Sequence, residues 1–155
     1  MQVRRVVTGH KKDGKATVLI DEVSKDVVNP RQGCTFFNIW STPLPPDNND
    51  DSDGAKRIVG TAMKDKAVFR VIEYAPGVAP RNHRTDSIDF AVVMSGEIDM
   101  TLDDEVVHLK AGDVMVQRGT IHDWINKGDT PCVIAFVLID AAPVEIDGKP
   151  LAHVG

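Results

Sequence analysis

His83 and His122 stand out among the five histidines of this 155-residue chain, because each follows a turn and opens a β-type run. Asp89 lies six residues after His83, inside the otherwise apolar run Ser87-Ile-Asp-Phe-Ala-Val-Val-Met94. Two imidazoles and one carboxylate, donated by different strands into a barrel, would leave positions on a divalent ion open to water, substrate or dioxygen. Without an ion, the same three side chains make an acid–base set, and either histidine alone can serve as a structural hydrogen-bond donor in a polar cavity. Asp89 is the sharper clue. An unpaired buried carboxylate is costly, so it needs a cation, a donor or a raised pKa. A metal or a protonated histidine would meet that need, as would a salt bridge to Arg84 or Arg118.

Around these three, Trp124 and Asn126 share strand parity with His122, so all three should point into the barrel. Trp124 then either walls a pocket for an aromatic or otherwise apolar substrate or simply fills the core. Arg81, Arg84 and Arg118 are either anion-recognising or solvated. His108 has no evident partner and is expected on the surface, and His10 and His153, near turns or termini, are assigned no role. Nucleophilic catalysis is poorly supported: Ser87 and Ser95 lack a nucleophile-elbow context, and neither cysteine has a reason to be activated. No phosphate-cradling glycine loop or dinucleotide fingerprint appears.

The elements that must position these residues are short strands. From Ala67 onward, β-type runs alternate with turn signals: Ala67–Tyr74, Ile88–Met94, Glu97–Leu102, Glu105–Leu109, Val114–Gln117, His122–Ile125 and Cys132–Ile139. Without a sustained 3.6-residue apolar period, this pattern means an all-β sandwich or small barrel. Upstream, Val3 to Thr8 and Ala16 to Ile20 flank Asp13-Gly14 and read as a hairpin, with Cys34 to Trp40 a further strand. The segment Thr42 to Gly54 is rich in proline and carboxylates. It lacks the ordered acid spacing of a calcium loop and reads as solvated, with a short helix allowed near Gly54–Ile58. This divides the chain into an extension (1–60), a barrel core (61–140) and a tail (141–155) of one domain.

Composition narrows the functional classes. The chain is 42% hydrophobic and 26% charged with a net charge of −5, and its pI of about 5.4 lacks the basic signature of a nucleic-acid binder. No apolar run approaches the roughly 20 residues that span a bilayer, and the N-terminal residues are too short an apolar run for a signal peptide. Cys34 and Cys132 are expected as buried reduced thiols in a cytoplasmic protein.

The spacing Gly77-(x5)-His83-x-Thr85-(x3)-Asp89-(x6)-Gly96 resembles the first motif of the cupin superfamily, Gly-(x5)-His-x-His-(x3–4)-Glu-(x6)-Gly. The stretch Gly112-Asp-Val-Met-Val-Gln-Arg-Gly-Thr-Ile-His122-(x3)-Asn126 resembles the second, Gly-(x5)-Pro-x-Gly-(x2)-His-(x3)-Asn. The resemblance covers roughly Ala67 to Ile139 and implies a double-stranded β-helix, the cupin jelly roll, here with an N-terminal hairpin extension. It also implies a metal set of His83, Asp89 and His122, with Asp89 and His122 as catalytic residues and Thr85, Trp124 and Asn126 around the pocket. The ion would be divalent: iron, manganese, nickel or zinc. Three departures qualify this reading. Thr85 replaces a histidine, Asp89 replaces a glutamate one methylene longer, and Arg118 stands near the usual proline. Thr85 is therefore expected to face the site without direct coordination.

The functional expectation is a small-molecule enzyme, an oxidoreductase or dioxygenase, isomerase or decarboxylase, on an aromatic or polyketide-like substrate. The alternative is a metal-free cupin acting as a binding module or acid–base catalyst. Val133 to Ile139 is apolar on both parities, which a strand with one solvated face would not be, so a homodimer is expected.

Overall fold

In a computed structural model describing residues 1–61 and 63–155, the chain is all β, with one 3-10 turn at Gly54–Lys56 and no α-helix among the described residues. In chain order the strands are β1 (Arg4–His10), β2 (Ala16–Val23), β3 (Val27–Arg31), β4 (Cys34–Pro43), β5 (Lys66–Tyr74), β6 (Ser87–Ser95) and β7 (Glu97–Thr101). They continue with β8 (Val106–Lys110), β9 (Val114–Arg118), β10 (Asp123–Ile125), β11 (Cys132–Asp140), β12 (Glu145–Ile146) and β13 (Lys149–Pro150). A six-stranded sheet of order β3-β4-β5-β11-β6-β9 packs on a three-stranded sheet of order β10-β7-β8, and every pairing is antiparallel. This is the double-stranded β-helix expected, and the N-terminal hairpin is present as the separate pair β1–β2. No described helix is long and apolar enough to cross a membrane.

Alternation along β6 shows why the fold places its chemistry inside. Ser87, Asp89, Ala91 and Val93 are buried, whereas Ile88, Phe90, Val92 and Met94 are exposed. A strand has a period of two, so Asp89 enters the barrel by parity alone, with the same inner face that carries the alanine and valine. The same rule sends Val68, Arg70, Ile72 and Tyr74 of β5 inward. The core between the sheets joins Val68, Ile72, Ala91, Ile134, Phe136 and Leu138 of the large sheet to Ile98, Met100, Leu109 and Trp124 of the small one. Between β6 and β7 the chain needs glycine twice over at Gly96. Its φ is +73°, and a Cβ there would sit 2.5 Å from the Pro131 carbonyl oxygen.

The two-sided apolarity of β11 has a structural reason. It is a central strand between β5 and β6, and its even residues face the core. On the outer face Val133 joins Phe37, Ile39 and Val71 beneath Val3, so the N-terminal segment covers that half. Phe69, Phe90, Val92, Val114 and Val116 on the other half remain exposed.

Several readings of the sequence need correction. β3, β12 and β13 were not anticipated. β3 contains Asn29-Pro30 and is almost wholly exposed, an edge strand whose proline mutes the β signal. The acidic loop is not uniformly solvated. Asp53 turns in to cap the 3-10 turn at the Ala55 amide and to hold the Arg5 guanidinium at 2.6 and 2.7 Å. His108 is exposed as expected but not partnerless: its Nδ1 lies 2.8 Å from Asp99, which raises its pKa. Cys34 and Cys132 are buried and free, and they flank Tyr74 from opposite sides in register. Two strand spacings separate them, about 10 Å, beyond disulfide reach.

Candidate active site

The two histidines are brought together by the main chain. His83 and His122 form an isolated antiparallel bridge in which each amide donates to the other's carbonyl at 2.9 Å. Directly opposed residues project to the same face, and the ring centroids lie 4.2 Å apart. Each Nδ1 also meets a carbonyl two residues upstream, that of Arg81 at 2.9 Å for His83 and that of Thr120 at 3.0 Å for His122. These contacts put the proton on Nδ1 and leave the Nε2 lone pair for the cavity. Burial lowers the pKa of both rings. For His122, where the neighbouring His83 adds to the effect, the value falls to about 4. Both are neutral bases at physiological pH.

They line a cavity of about 290 Å³ between the sheets, walled by Phe36, Ile72, Tyr74, Trp124, Phe136 and Leu138. Asp89 and Thr85 line the same cavity. Thr85 is held by the Ser87 hydroxyl, at 2.9 Å. Asp89 is 4% exposed, and its Oδ1 has no hydrogen-bond partner among the described residues. Burial pushes its carboxyl up to about 6, against the opposing pull of the Ser87 hydroxyl and the Arg70 charge. Ser87 serves this carboxylate as a donor and Arg70 as a nearby charge, and neither offsets its burial. Arg118 is exposed, and Arg84 spends a guanidinium hydrogen on the Ala152 carbonyl.

Trp124 is both things the sequence left open. It lines the cavity and sits in the core, stacked 5.8 Å from Tyr74 and edge-on to Phe136 at 5.7 Å. Asn126 does not line the cavity. Its amide donates to the Tyr74 and Thr130 carbonyls and accepts from the Gly128 amide, which fixes the loop into β11. Three residues of consequence went unremarked. Arg31 and Arg70 line the cavity, and Asp123 accepts from the Arg81 amide at 2.9 Å, positioning the segment that delivers His83. Arg70 carried the same signal as Asp89, a charge at an inward position of an apolar strand.

A histidine whose Nδ1 rests on a carbonyl and whose Nε2 is unspent is oriented as metal-ligating histidines are. The third ligand does not close the set: among the described residues no three His, Cys, Asp or Glu side chains gather to hold an ion. Asp89, one methylene shorter than the glutamate of the motif, stays on its strand beside Ser87 and Arg70.

The cupin domain family matches residues 70–139. Over 97% of its length the chain is 33% identical to a cupin-domain-containing oxidoreductase of Aspergillus ruber, 78% of which it covers. It is 35% identical, over 98% of its length and 90% of the relative's, to oryzines biosynthesis cluster protein J of Aspergillus oryzae. Phomopsin biosynthesis cluster protein C′ of Diaporthe leptostromiformis is 46% identical over 83% of this chain, which spans 61% of that protein. Among solved structures, the polyketide cyclase RemF of Streptomyces resistomycificus superposes over 96% of this chain and 78% of its own (TM-score 0.51, 12% identity). A cupin domain of Schizosaccharomyces pombe does so over 88% and 87% (TM-score 0.53, 14% identity). At those identities the likeness is one of fold. This chain belongs to the cupin family, and its relatives include oxidoreductases and proteins of fungal biosynthesis clusters.

Proposed function

We propose that this chain is a small-molecule enzyme that moves protons on an aromatic or polyketide-like substrate held in the barrel cavity. The observation that carries the reading is the convergence of two neutral imidazoles and an Asp89 carboxyl with one unpartnered oxygen on one largely apolar space. A general base works best with a pKa near the operating pH, and Asp89, at about 6, meets that condition far better than His122 at about 4. Asp89 is assigned as the base that takes a proton from carbon beside a carbonyl. The Nε2 atoms of His83 and His122 face the same space as neutral acceptors and orient the ring beside Trp124. Enolate formation is a step that isomerisation and oxidation of such substrates share, which accords with relatives named as oxidoreductases. Exchange of carbon-bound hydrogen for solvent deuterium tests it, with 1,3-dicarbonyl and hydroxylated aromatic ketone probes followed by NMR. Exchange is expected with wild-type protein freed of metal by chelator and should fall at least tenfold in His122→Gln. A stoichiometric ion that survives purification, is lost in His122→Ala and is required for turnover would overturn the metal-free reading.

The uncovered outer half of the large sheet supports a homodimer. Phe90 is 49% exposed and Val116 59%, and they sit with Phe69, Val92 and Val114 on one apolar face. A second copy applied there would supply the cover that Val3 gives the other half. Sedimentation should return twice the chain mass, and Phe90→Glu should return the single mass with the melting transition intact. A monomeric wild-type protein at tens of micromolar would refute the pairing.

A further inference from the structure

Three arginines, Arg31, Arg70 and Arg81, line the cavity, against one carboxylate, Asp89. The chain as a whole has 23 acidic and 18 basic residues, so carboxylate partners are not scarce. Yet none of the three arginines forms an ion pair among the described residues. The ion pairs formed by arginine involve Arg4, Arg5 and Arg57 instead. Arg70 is the extreme case. It is 2% exposed and lies 4.8 Å over the Phe36 ring. One guanidinium hydrogen goes to the Gly60 carbonyl at 2.8 Å, while Nε has no partner among the described residues. Arg31 likewise keeps Nη1 buried and unpartnered. Buried donors without acceptors cost free energy, and charged ones cost more.

The other unpartnered atoms on the cavity are acceptors. Asp89 Oδ1 and Gln117 Oε1 are both buried without partners, and the two residues are directly opposed across β6 and β9. The lining thus presents two orphaned guanidinium donors and two orphaned oxygen acceptors around aromatic walls. We infer that the cavity is built for a small ring compound bearing a carboxylate and a hydroxyl, with the carboxylate on Arg70 and Arg31 and the hydroxyl on Gln117, beside the Asp89 base. The guanidinium is the side chain whose fork matches a carboxylate, and the pairing is charge-assisted. At about 290 Å³ the cavity lies at the small end of ligand sites, in keeping with one substituted ring.

The inference rests on the cavity being the substrate site and adds to it the class of substrate. Its test is titration calorimetry of the full chain with the three hydroxybenzoate isomers, benzoate and the matching hydroxybenzamides, with tryptophan fluorescence as a second readout. At least one hydroxybenzoate is expected to bind at least tenfold more tightly than its amide, and more tightly than benzoate. Arg70→Gln should erase the preference for carboxylate over amide while leaving amide affinity in place, and Arg70→Lys should restore part of it. Should Arg70→Gln fail to fold, Arg31→Gln carries the same expectation. An amide bound as well as its carboxylate, or a carboxylate preference untouched by both variants, overturns the inference. If neutral ketone probes still exchange deuterium in that case, the proton-transfer reading survives without it. If no ring compound, charged or neutral, binds at millimolar concentration and none exchanges, both readings fall together.

Discussion

Asp89→Asn is expected to abolish most of the deuterium exchange and, at the same pH, to make the protein harder to unfold. Removing a positioned general base typically costs about 10²- to 10⁴-fold in rate. The stability gain follows from the raised pKa. In the folded protein the carboxyl titrates at about 6, in the unfolded chain near its ordinary 3.8. Between those values the native state holds a proton that the unfolded state has released, so stability falls as pH rises through the window and stays low above it. Two pKa units correspond to about 3 kcal/mol, and the neutral amide escapes that cost. His122 has the opposite sign. Its folded pKa of about 4 lies below the unfolded 6.5, so stability is lost as pH falls through that interval, and His83 adds in the same direction. The groups bearing on Asp89 are Arg70 from β5 and Ser87 from its own strand; those bearing on His122 are His83, Asp123 and Arg81. In wild-type protein the acid and the imidazoles oppose each other between pH 4 and 6, and urea midpoints should vary little there. In Asp89→Asn the midpoint should climb steadily with pH over the same range. A variant that loses activity and is also less stable at pH 8 would make Asp89 a structural residue and remove it from the mechanism.

The second large effect is expected far from the cavity, at Arg5. Its side chain is 1% exposed and binds Glu22 and Asp53 at 2.6 Å each, with a longer bond to the Ile39 carbonyl. One guanidinium therefore joins the hairpin, the 3-10 turn and β4. Arg5→Met removes the shared partner of two partly exposed carboxylates, of which Asp53 keeps the Ala55 amide and Lys56, and breaking a buried pair from one side costs up to about 3–5 kcal/mol. Glu22 retains partial solvent access, which places the cost toward the lower bound. Urea unfolding should show a lowered midpoint with an unchanged slope. Arg4→Met, which breaks the fully exposed pair with Asp21, should leave the midpoint where it was. The ion pair is also acid-sensitive. Asp53 is held down to about 2, so its contribution is complete above pH 4 and disappears as pH falls through 2. An Arg5→Met midpoint within error of wild type would show that the hairpin is held by Val3 and its apolar neighbours alone.

What could be read from the residues follows the range of the interaction concerned. Strand period is local, so β6 was legible and Asp89 was placed on its inner face from its neighbours alone. The histidine pair was legible because its spacing matches two motifs that bracket one hairpin. Arg5 and Asp53 are 48 residues apart, and nothing local marks either as the other's partner. Asn126 shows the limit of parity reasoning. Alternation forecast its burial, but the loop that begins there takes its amide to the Tyr74 carbonyl instead of the cavity. Asp89 and His122 were foreseen in one cavity, and both line it.

The bridge between His83 and His122 has a consequence for how such a site changes over generations. The spacing of these two positions is written in amide and carbonyl groups, which every residue except proline possesses. The side chains can therefore be exchanged without disturbing the socket that holds them. A pair of thiols, carboxylates or amides placed there would inherit the same separation and the same enclosed, aromatic-walled space. New reactivity in this barrel needs two codon changes at a preformed mount rather than a new architecture, and a library randomised at positions 83 and 122 should retain folded members in most combinations that omit proline.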